Sequence, residues 1–95
     1  MVALLTLELR IEGAHSLKDK RQVLRSLKDR LRAQFNVAVA ELDHSDLWQR
    51  ATLGVVSISD SRAYLDGLMQ KVERQSMRIA NNAGGEVADS FLEYL

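Results

Sequence analysis

The densest group of titratable side chains in this sequence lies in the stretch ELDHSDLW, at residues 41–48. Its three carboxylates and one imidazole belong to Glu41, Asp43, Asp46 and His44. Such a set can ligate a divalent metal or act as general acid and base. The same composition is typical of a charged hairpin loop, and no second catalytic motif accompanies it. We therefore predict no catalytic residue, no metal site and no cofactor, and a metal-dependent hydrolase is the least favoured hypothesis.

Other kinds of site are also disfavoured. The chain has no cysteine, which excludes a disulfide framework, a thiolate metal site and a cysteine nucleophile. The glycines of NNAGGEV follow a predicted helix and precede a strand, whereas a phosphate loop needs the reverse order. No apolar run approaches the ~18 residues of a membrane helix, and the N-terminus alternates as a strand does. We expect a cytoplasmic protein without enzymatic activity.

A second group of charged residues is basic and follows helical spacing. Residues 15–36 hold seven Lys and Arg against two Asp, although the formal net charge of the chain is +0. Spacings of 3, 4, 3 and 4 place five of these cations within roughly an 80° arc of a helix. These five, called the basic row below, are Lys18, Arg21, Arg25, Lys28 and Arg32. An unmixed row favours an anionic partner such as a phosphate backbone, and the alternative is a row of solvated side chains at the core edge.

Two further observations concern basic residues outside that row. A shorter row with spacings of 3 and 4 follows later in the chain, at Lys71, Arg74 and Arg78. Lys20 falls in the middle of the apolar arc, so we expect it to reach past the core edge or to pair with a carboxylate from a sheet edge. We nevertheless include it beside the row. The candidate nucleic-acid-binding residues are Lys18, Lys20, Arg21, Arg25, Lys28 and Arg32.

Hydrophobic periodicity predicts the elements that carry these residues. Alternation of period two indicates half-buried strands, and apolar residues at intervals of three and four indicate amphipathic helices. The pattern predicts strands at about 5–11, 36–42, 51–59 and 86–95, and helices at about 17–35 and 62–80. Ser16 is the expected cap of the first helix, and Asp60 or Ser61 that of the second. The Asn and Gly residues after residue 80 end the second helix.

The order β-α-β-β-α-β predicts a ferredoxin-like α+β fold. Right-handed crossovers and a central hairpin put both helices on one face of a four-stranded antiparallel sheet. We expect a single domain over residues 1–95, with residues 2–11 and 51–59 as the central strands. Neither central strand contains an aromatic residue, which disfavours RNA binding by base stacking on the sheet.

The uncovered face of this sheet is the alternative functional surface. Ala38, Ala40 and Leu42 alternate on one strand and Val56 and Ile58 on another, so the face is apolar. A bare apolar face favours burial against a partner, including a second copy of the chain. Trp48 in the hairpin loop either folds back onto the core, which we favour, or anchors an interface. The candidate interface residues are Leu47, Trp48, Val56 and Ile58.

Two stretches, GAHSLKDKR and FNVAVAELDHSDLWQRATLGV, resemble the YlxP-like family of small bacterial proteins of unassigned function. The motif residues are Ser16, Leu17, Lys18, Lys20 and Arg21, and then Asn36, Val37, Val39, Ala40, Glu41, Asp43, Asp46, Leu47, Trp48 and Gln49. The resemblance implies a ferredoxin-like fold and no assigned catalytic residue. Members are often encoded among genes for translation initiation and ribosome maturation, which implies association with RNA or the ribosome by analogy.

These observations favour a non-enzymatic protein that binds RNA, with ribosomal RNA or a ribosomal subunit as its partner, through the first helix. The alternative hypothesis is a protein-interaction or homodimerisation module that uses the open sheet face and the Trp48 loop. The two hypotheses differ in their salt dependence, because phosphate contacts weaken with salt and apolar contacts do not.

Overall fold

Six elements form one sheet and one helical layer. The computed structural model describes residues 1–44 and 46–95. The elements are β1 (Val2–Arg10), α1 (Leu17–Gln34), β2 (Ala38–Asp43), β3 (Arg50–Ile58), α2 (Arg62–Asn82) and β4 (Glu86–Tyr94). The strand order is β2-β3-β1-β4, and every neighbouring pair is antiparallel. The predicted ferredoxin-like α+β arrangement is confirmed, with β1 and β3 as the central strands.

Alternation along the central strands separates a helix-covered face from an open face. On the covered side of β1, Leu5, Leu7 and Leu9 are buried, and on β3 Leu53 and Val55 are buried. The intervening residues point to the open side, where the register pairs Val2 with Ile58, Leu4 with Val56, Thr6 with Gly54 and Glu8 with Thr52. The core thus lies between the sheet and the helices, and one broad sheet face stays uncovered by the described residues.

Both helices begin at the serines that the sequence indicates. Ser16 Oγ accepts a hydrogen bond from the Asp19 amide at 3.1 Å, and Asp19 Oδ2 accepts one from the His15 amide at 3.0 Å. Ser61 Oγ accepts from the Tyr64 amide at 3.2 Å. Each bond satisfies an amide that has no partner within the helix. The residues of α2 that are buried recur at helical spacing, at Leu65, Leu68, Met69, Val72, Ser76, Ile79 and Ala80.

A glycine pair returns the chain from α2 to β4. Gly84 has φ +81°, in the left-handed region, and a Cβ on Gly85 would lie 2.7 Å from the Arg10 carbonyl oxygen. Only glycine fits that close approach without displacing backbone. Within the described residues, neither helix is both long enough and apolar enough to cross a bilayer.

Candidate nucleic-acid interface

The basic row lies along the side of α1 that faces edge strand β2. Lys18, Arg21, Arg25 and Arg32 are exposed and Lys28 is half-buried. At 1.5 Å per residue, the row runs for about 21 Å along the helix. Its last four members line a groove of about 370 Å³ between α1 and β2. The spacing predicted from the sequence is therefore realised as one continuous cationic surface on a rigid element.

Two carboxylates also border this groove. The side chain of Asp29 lies with its Oδ1 3.9 Å from Arg32 Nη1, and Glu41 reaches the groove from β2. Arg32 itself is held by β2, because its Nη2 donates a hydrogen bond to the Val39 carbonyl at 2.9 Å. Arg32 is thus the most constrained member of the row, and the other four cations are the freer ones.

Lys20 is separate from the row and buried in the core, with 1% of its surface exposed. Its Nζ donates a hydrogen bond to the His44 carbonyl and lies 3.2 Å from Glu41 Oε2. The expected pairing with a carboxylate from a sheet edge is confirmed, since β2 is an edge strand. Because its ammonium is enclosed by protein groups, Lys20 cannot reach a phosphate, and the structure removes it from the candidate nucleic-acid-binding residues.

The contact between Lys20 and Glu41 sets the charge of the groove. Glu41 Oε2 is buried and makes no directed hydrogen bond, so its compensation is the ionic contact with Lys20. A buried carboxylate without a counter-charge would carry a large desolvation cost. Lys20 therefore neutralises the acid beneath the groove, and the basic row keeps its positive potential.

The two sequence motifs meet in space at the start of α1. Gln49 Nε2 donates hydrogen bonds to the Ala14 carbonyl at 3.2 Å and the Glu12 carbonyl at 3.4 Å. The Ile11 amide donates to the Gln49 carbonyl at 2.8 Å. Together with the bond from Lys20 to His44, these contacts hold both ends of the β2–β3 loop against the β1–α1 turn. Sequence reasoning missed this role of Gln49, although the residue lies within the second motif.

The acidic loop does not form a metal cluster among residues 1–44 and 46–95, where no three His, Asp or Glu side chains are arranged to hold an ion. His44 has φ 63°, and its amide donates to Asp43 Oδ1 at 2.7 Å. The Asp43 carboxylate thus supports a left-handed turn residue, which is a common use of Asp in loops.

The shorter basic row on α2 lines a different groove. Lys71, Arg74 and Arg78 surround a volume of about 450 Å³ together with Gln34 and Phe35 at the end of α1. Gln75 Nε2 bonds Gln34 Oε1 at 2.9 Å and closes one side of this groove. The two rows therefore share the helical layer but do not form one surface.

The candidate interface residues lie on the sheet side and in the loop. Ile58 is 71% exposed, Trp48 53% and Leu47 41%, while Val56 is half-buried. The expectation that Trp48 folds back onto the core is wrong, since half of its surface stays in solvent. The sequence analysis also did not predict the exposure of Phe91, an aromatic residue on β4 that is 52% exposed and lies opposite Thr6.

Comparison with known proteins gives the chain a family. Residues 2–90 match the family described as "Protein of unknown function (DUF503)". The chain belongs to this family. It is also 36% identical over 72 residues to the uncharacterized protein YlxP of Bacillus subtilis (strain 168), a match that covers 76% of this chain and 78% of that protein. The YlxP-like resemblance drawn from the two motifs is confirmed.

Solved structures with the same fold are distant in sequence from this DUF503 member. The protein YJCS is 8% identical, with a TM-score of 0.63 over 100% of this chain and 99% of that one. A C-terminal segment of the alpha subunit of aIF2 from Pyrococcus abyssi is 14% identical, with a TM-score of 0.58. This chain is covered completely in that match and spans 50% of the segment. At these identities the likeness shows the fold alone.

Proposed function

We propose that this protein is a non-enzymatic, cytoplasmic RNA-associated protein that contacts ribosomal RNA or a ribosomal subunit through the basic row. The observation that carries the proposal is the line of five cations along one side of α1, four of them exposed and four of them lining the groove between α1 and β2. Neutralisation of phosphates by such a line releases counterions, and this release drives most of the sequence-independent binding of nucleic acids.

The rigidity of the surface supports this proposal. Ser16 caps the helix that carries the row, and the ion pair of Lys20 with Glu41 fixes that helix against β2. A cationic surface that is already ordered before binding loses less conformational entropy when it meets an RNA backbone. The mobile part of each basic side chain is then its end alone.

The chemistry of the groove indicates contact with phosphates and not with bases. Among the described residues, no aromatic side chain lines the groove, so unpaired bases have no aromatic ring to stack on there. Lys and Arg on a helix can follow a backbone over about 21 Å by charge alone. We therefore expect binding to folded RNA with little sequence preference and strong salt dependence.

The test is co-sedimentation of the purified protein with ribosomal subunits and with protein-free ribosomal RNA across a salt series. A variant with Lys18→Glu, Arg21→Glu and Arg25→Glu reverses three exposed cations of the row. The matched control makes the same change in the second helix, with Lys71→Glu, Arg74→Glu and Arg78→Glu. Because the two triple variants change the net charge equally and in the same helical layer, a difference in their RNA binding reports the position of the charge and not its total.

We expect wild type and the α2 control to sediment with RNA at low salt and the α1 variant to stay in the supernatant. Single changes of Lys18, Arg21 or Arg25 to Gln should each lower the slope of log affinity against log salt by about 0.7–0.9. If wild type fails to bind at 50 mM salt, or if both triple variants lose binding equally, the basic row is not the RNA surface.

A further inference from the structure

The open sheet face carries a large apolar area at one end. This area, called the apolar half-face below, consists of Val2, Leu4, Ala38, Ala40, Leu42, Val56, Ile58 and Phe91. Leu42, Ile58 and Phe91 are each more than half exposed. Concentrated apolar surface of this kind on a small domain marks an interaction site.

Charge argues against RNA as the occupant of this face. Five carboxylates and two guanidinium groups point to the open side, from Glu8, Asp43, Glu86, Asp89, Glu93, Arg10 and Arg50, for a net charge of −3. A phosphate backbone would be repelled by that balance. The central strands have no aromatic residue for stacking, so the occupant is a protein surface.

Residue size changes systematically across the sheet in one row of the register. Ala40 pairs with Gly54, Gly54 with Thr6, and Thr6 with Phe91. The row therefore has small residues on β2 and β3 and its one large residue at the β4 edge. Leu42 leans over Gly54, where a Cβ would lie 2.8 Å from Leu42 Cδ1, and fills the space above that glycine.

We propose that the apolar half-face binds the same face of a second copy of this chain, with a twofold axis parallel to the strands between β1 and β3. Rotation about this axis leaves each residue at the same position along the strand direction and brings β4 of one copy over β2 of the other. Phe91 then lies over the partner's Ala40, and Ala40 lies under the partner's Phe91. Because packed sheets are about 10 Å apart, a long side chain opposite a short one fills the gap.

The same axis matches the other apolar rows. It places Ile58 over the partner's Val2 and Val56 over the partner's Leu4, and each of these contacts occurs twice, as an isologous interface requires. At the outer end of the Val56 row it places Glu93 over the partner's Ala38, at the rim, where the carboxylate stays in water. Sheet twist tilts the two strand sets by about 30°, which displaces the outer contacts by about one residue. A twofold axis perpendicular to the strands and through the middle of the sheet would instead place the apolar half-face against the charged end.

Size and charge make this dimer weak. The apolar half-face covers four strands and about five residues, or roughly 19 Å by 17 Å, which is less than the ~800 Å² per partner of a standard interface. At the charged end, Asp43 faces the partner's Asp89 and Arg50 faces the partner's Arg10. We therefore expect a dissociation constant on the order of 0.1 mM that does not weaken, or even tightens, when salt screens these repulsions.

A size-swap experiment tests both the dimer and its axis. Sedimentation velocity would be measured over a concentration series up to ~1 mM for wild type, Ala40→Phe, Phe91→Ala and the double variant Ala40→Phe/Phe91→Ala. Each single change leaves two large or two small side chains opposed, so each should weaken dimerisation at least ~10-fold. The double variant restores large against small in the reverse sense and should recover most of the wild-type association.

A second pair of variants covers the case in which a single change disturbs folding. Ile58→Lys changes a side chain that is 71% exposed and should abolish the dimer, whereas Met77→Lys changes a 39% exposed residue on α2 and should leave it intact. A wild-type monomer up to ~1 mM would overturn the proposal. The proposal would also be overturned if the dimer persists in Ile58→Lys, or if the double variant dimerises no more tightly than the single variants.

Discussion

The helical side and the open sheet side of the molecule differ in the kind of residue that they expose. The helical side carries its cations on α1, which an ion pair between Lys20 and Glu41 holds against β2, and most of its apolar residues face the core, with Tyr64 and Met77 of α2 as exposed exceptions. The sheet side carries apolar residues that no described element covers, together with a net acidic end. The zero net charge of the chain therefore combines one cationic surface and one apolar surface, for which we propose different partners.

This difference also separates the energetic roles of charged residues. The buried Lys20 and the partly buried Glu41 hold two elements together, whereas Arg10 and Glu86 form a 3.1 Å ion pair with about half of each side chain in solvent. Desolvation makes the first pair costly to break, and solvent makes the second nearly neutral. The following experiments are ordered by the size of the expected effect.

Removal of Lys20 should have the largest effect. Lys20→Met leaves Glu41 without its counter-charge and should lower the free energy of unfolding by about 3 kcal/mol, at the lower end for a broken buried pair because Glu41 keeps 26% exposure. Urea unfolding measures the change. The double variant Lys20→Met/Glu41→Leu should recover most of it, and the matched Arg10→Met should cost under ~1 kcal/mol. A similar loss for Lys20→Met and Arg10→Met would remove the distinction between the two pairs.

Salt should separate the two surfaces next. Four phosphate contacts from Lys18, Arg21, Arg25 and Lys28 predict that RNA affinity falls about 100-fold between 50 and 200 mM salt. Dimerisation through the apolar half-face should stay constant or tighten over the same range. Fluorescence anisotropy with labelled ribosomal RNA fragments and sedimentation velocity measure the two constants. If salt weakens RNA binding and dimerisation to the same extent, one surface mediates both.

The cap of α1 should contribute less. Ser16→Ala removes the acceptor for the Asp19 amide and should cost about 1 kcal/mol in urea unfolding. Ser61→Ala makes the matched change on α2, which carries the shorter row. Only Ser16→Ala should also weaken RNA binding, by a few fold, because the first turn of α1 holds Lys18. If Ser16→Ala and Ser61→Ala bind RNA equally well, the order of the first turn of α1 does not contribute to RNA binding by the basic row.

The smallest effect concerns the edge of the sheet that carries Phe91. The hydrogen bond from the Tyr94 hydroxyl to Asp66 raises the pKa of Tyr94 above 10, and the Arg62 guanidinium lies 4.3 Å from the ring centroid. The pKa of Tyr94 is raised only in the folded state. The stability that the hydrogen bond with Asp66 contributes is therefore fully present below pH 10 and is lost as the pH rises through the pKa of the folded state. Urea midpoints at pH 8 and ~11 should therefore fall more for wild type than for Tyr94→Phe. Tyr64→Phe is the control and should behave as wild type does.

Much of the fold could be predicted because local patterns agree with the tertiary structure. Alternation predicted β1, the element order predicted the central position of β1 and β3, and helical spacing predicted the two amphipathic helices. Ser16 and Ser61 marked the helix starts because the chemistry of a cap is local. The composition of the basic row and its common side followed from helical geometry alone.

The misses depend on contacts between distant residues or on broken alternation. Lys20 could be assigned a carboxylate partner but not Glu41 itself, because that choice requires the docking of α1 on β2. Phe91 escaped prediction since a register shift between Glu8 and Leu9 interrupts the period of two along β4. The exposure of Trp48, at 53%, depends on how the β2–β3 loop lies on the folded chain, which no local pattern encodes.

The bond from Arg32 to the Val39 carbonyl also affects how the protein avoids misassembly. An edge strand presents free carbonyl and amide groups that template the addition of strands from other chains. Arg32 occupies one of these carbonyls on β2, a strand of only 6 residues with a register shift near its end. We therefore expect Arg32 to hinder the addition of strands at this edge, and loss of its side chain should increase aggregation at high concentration.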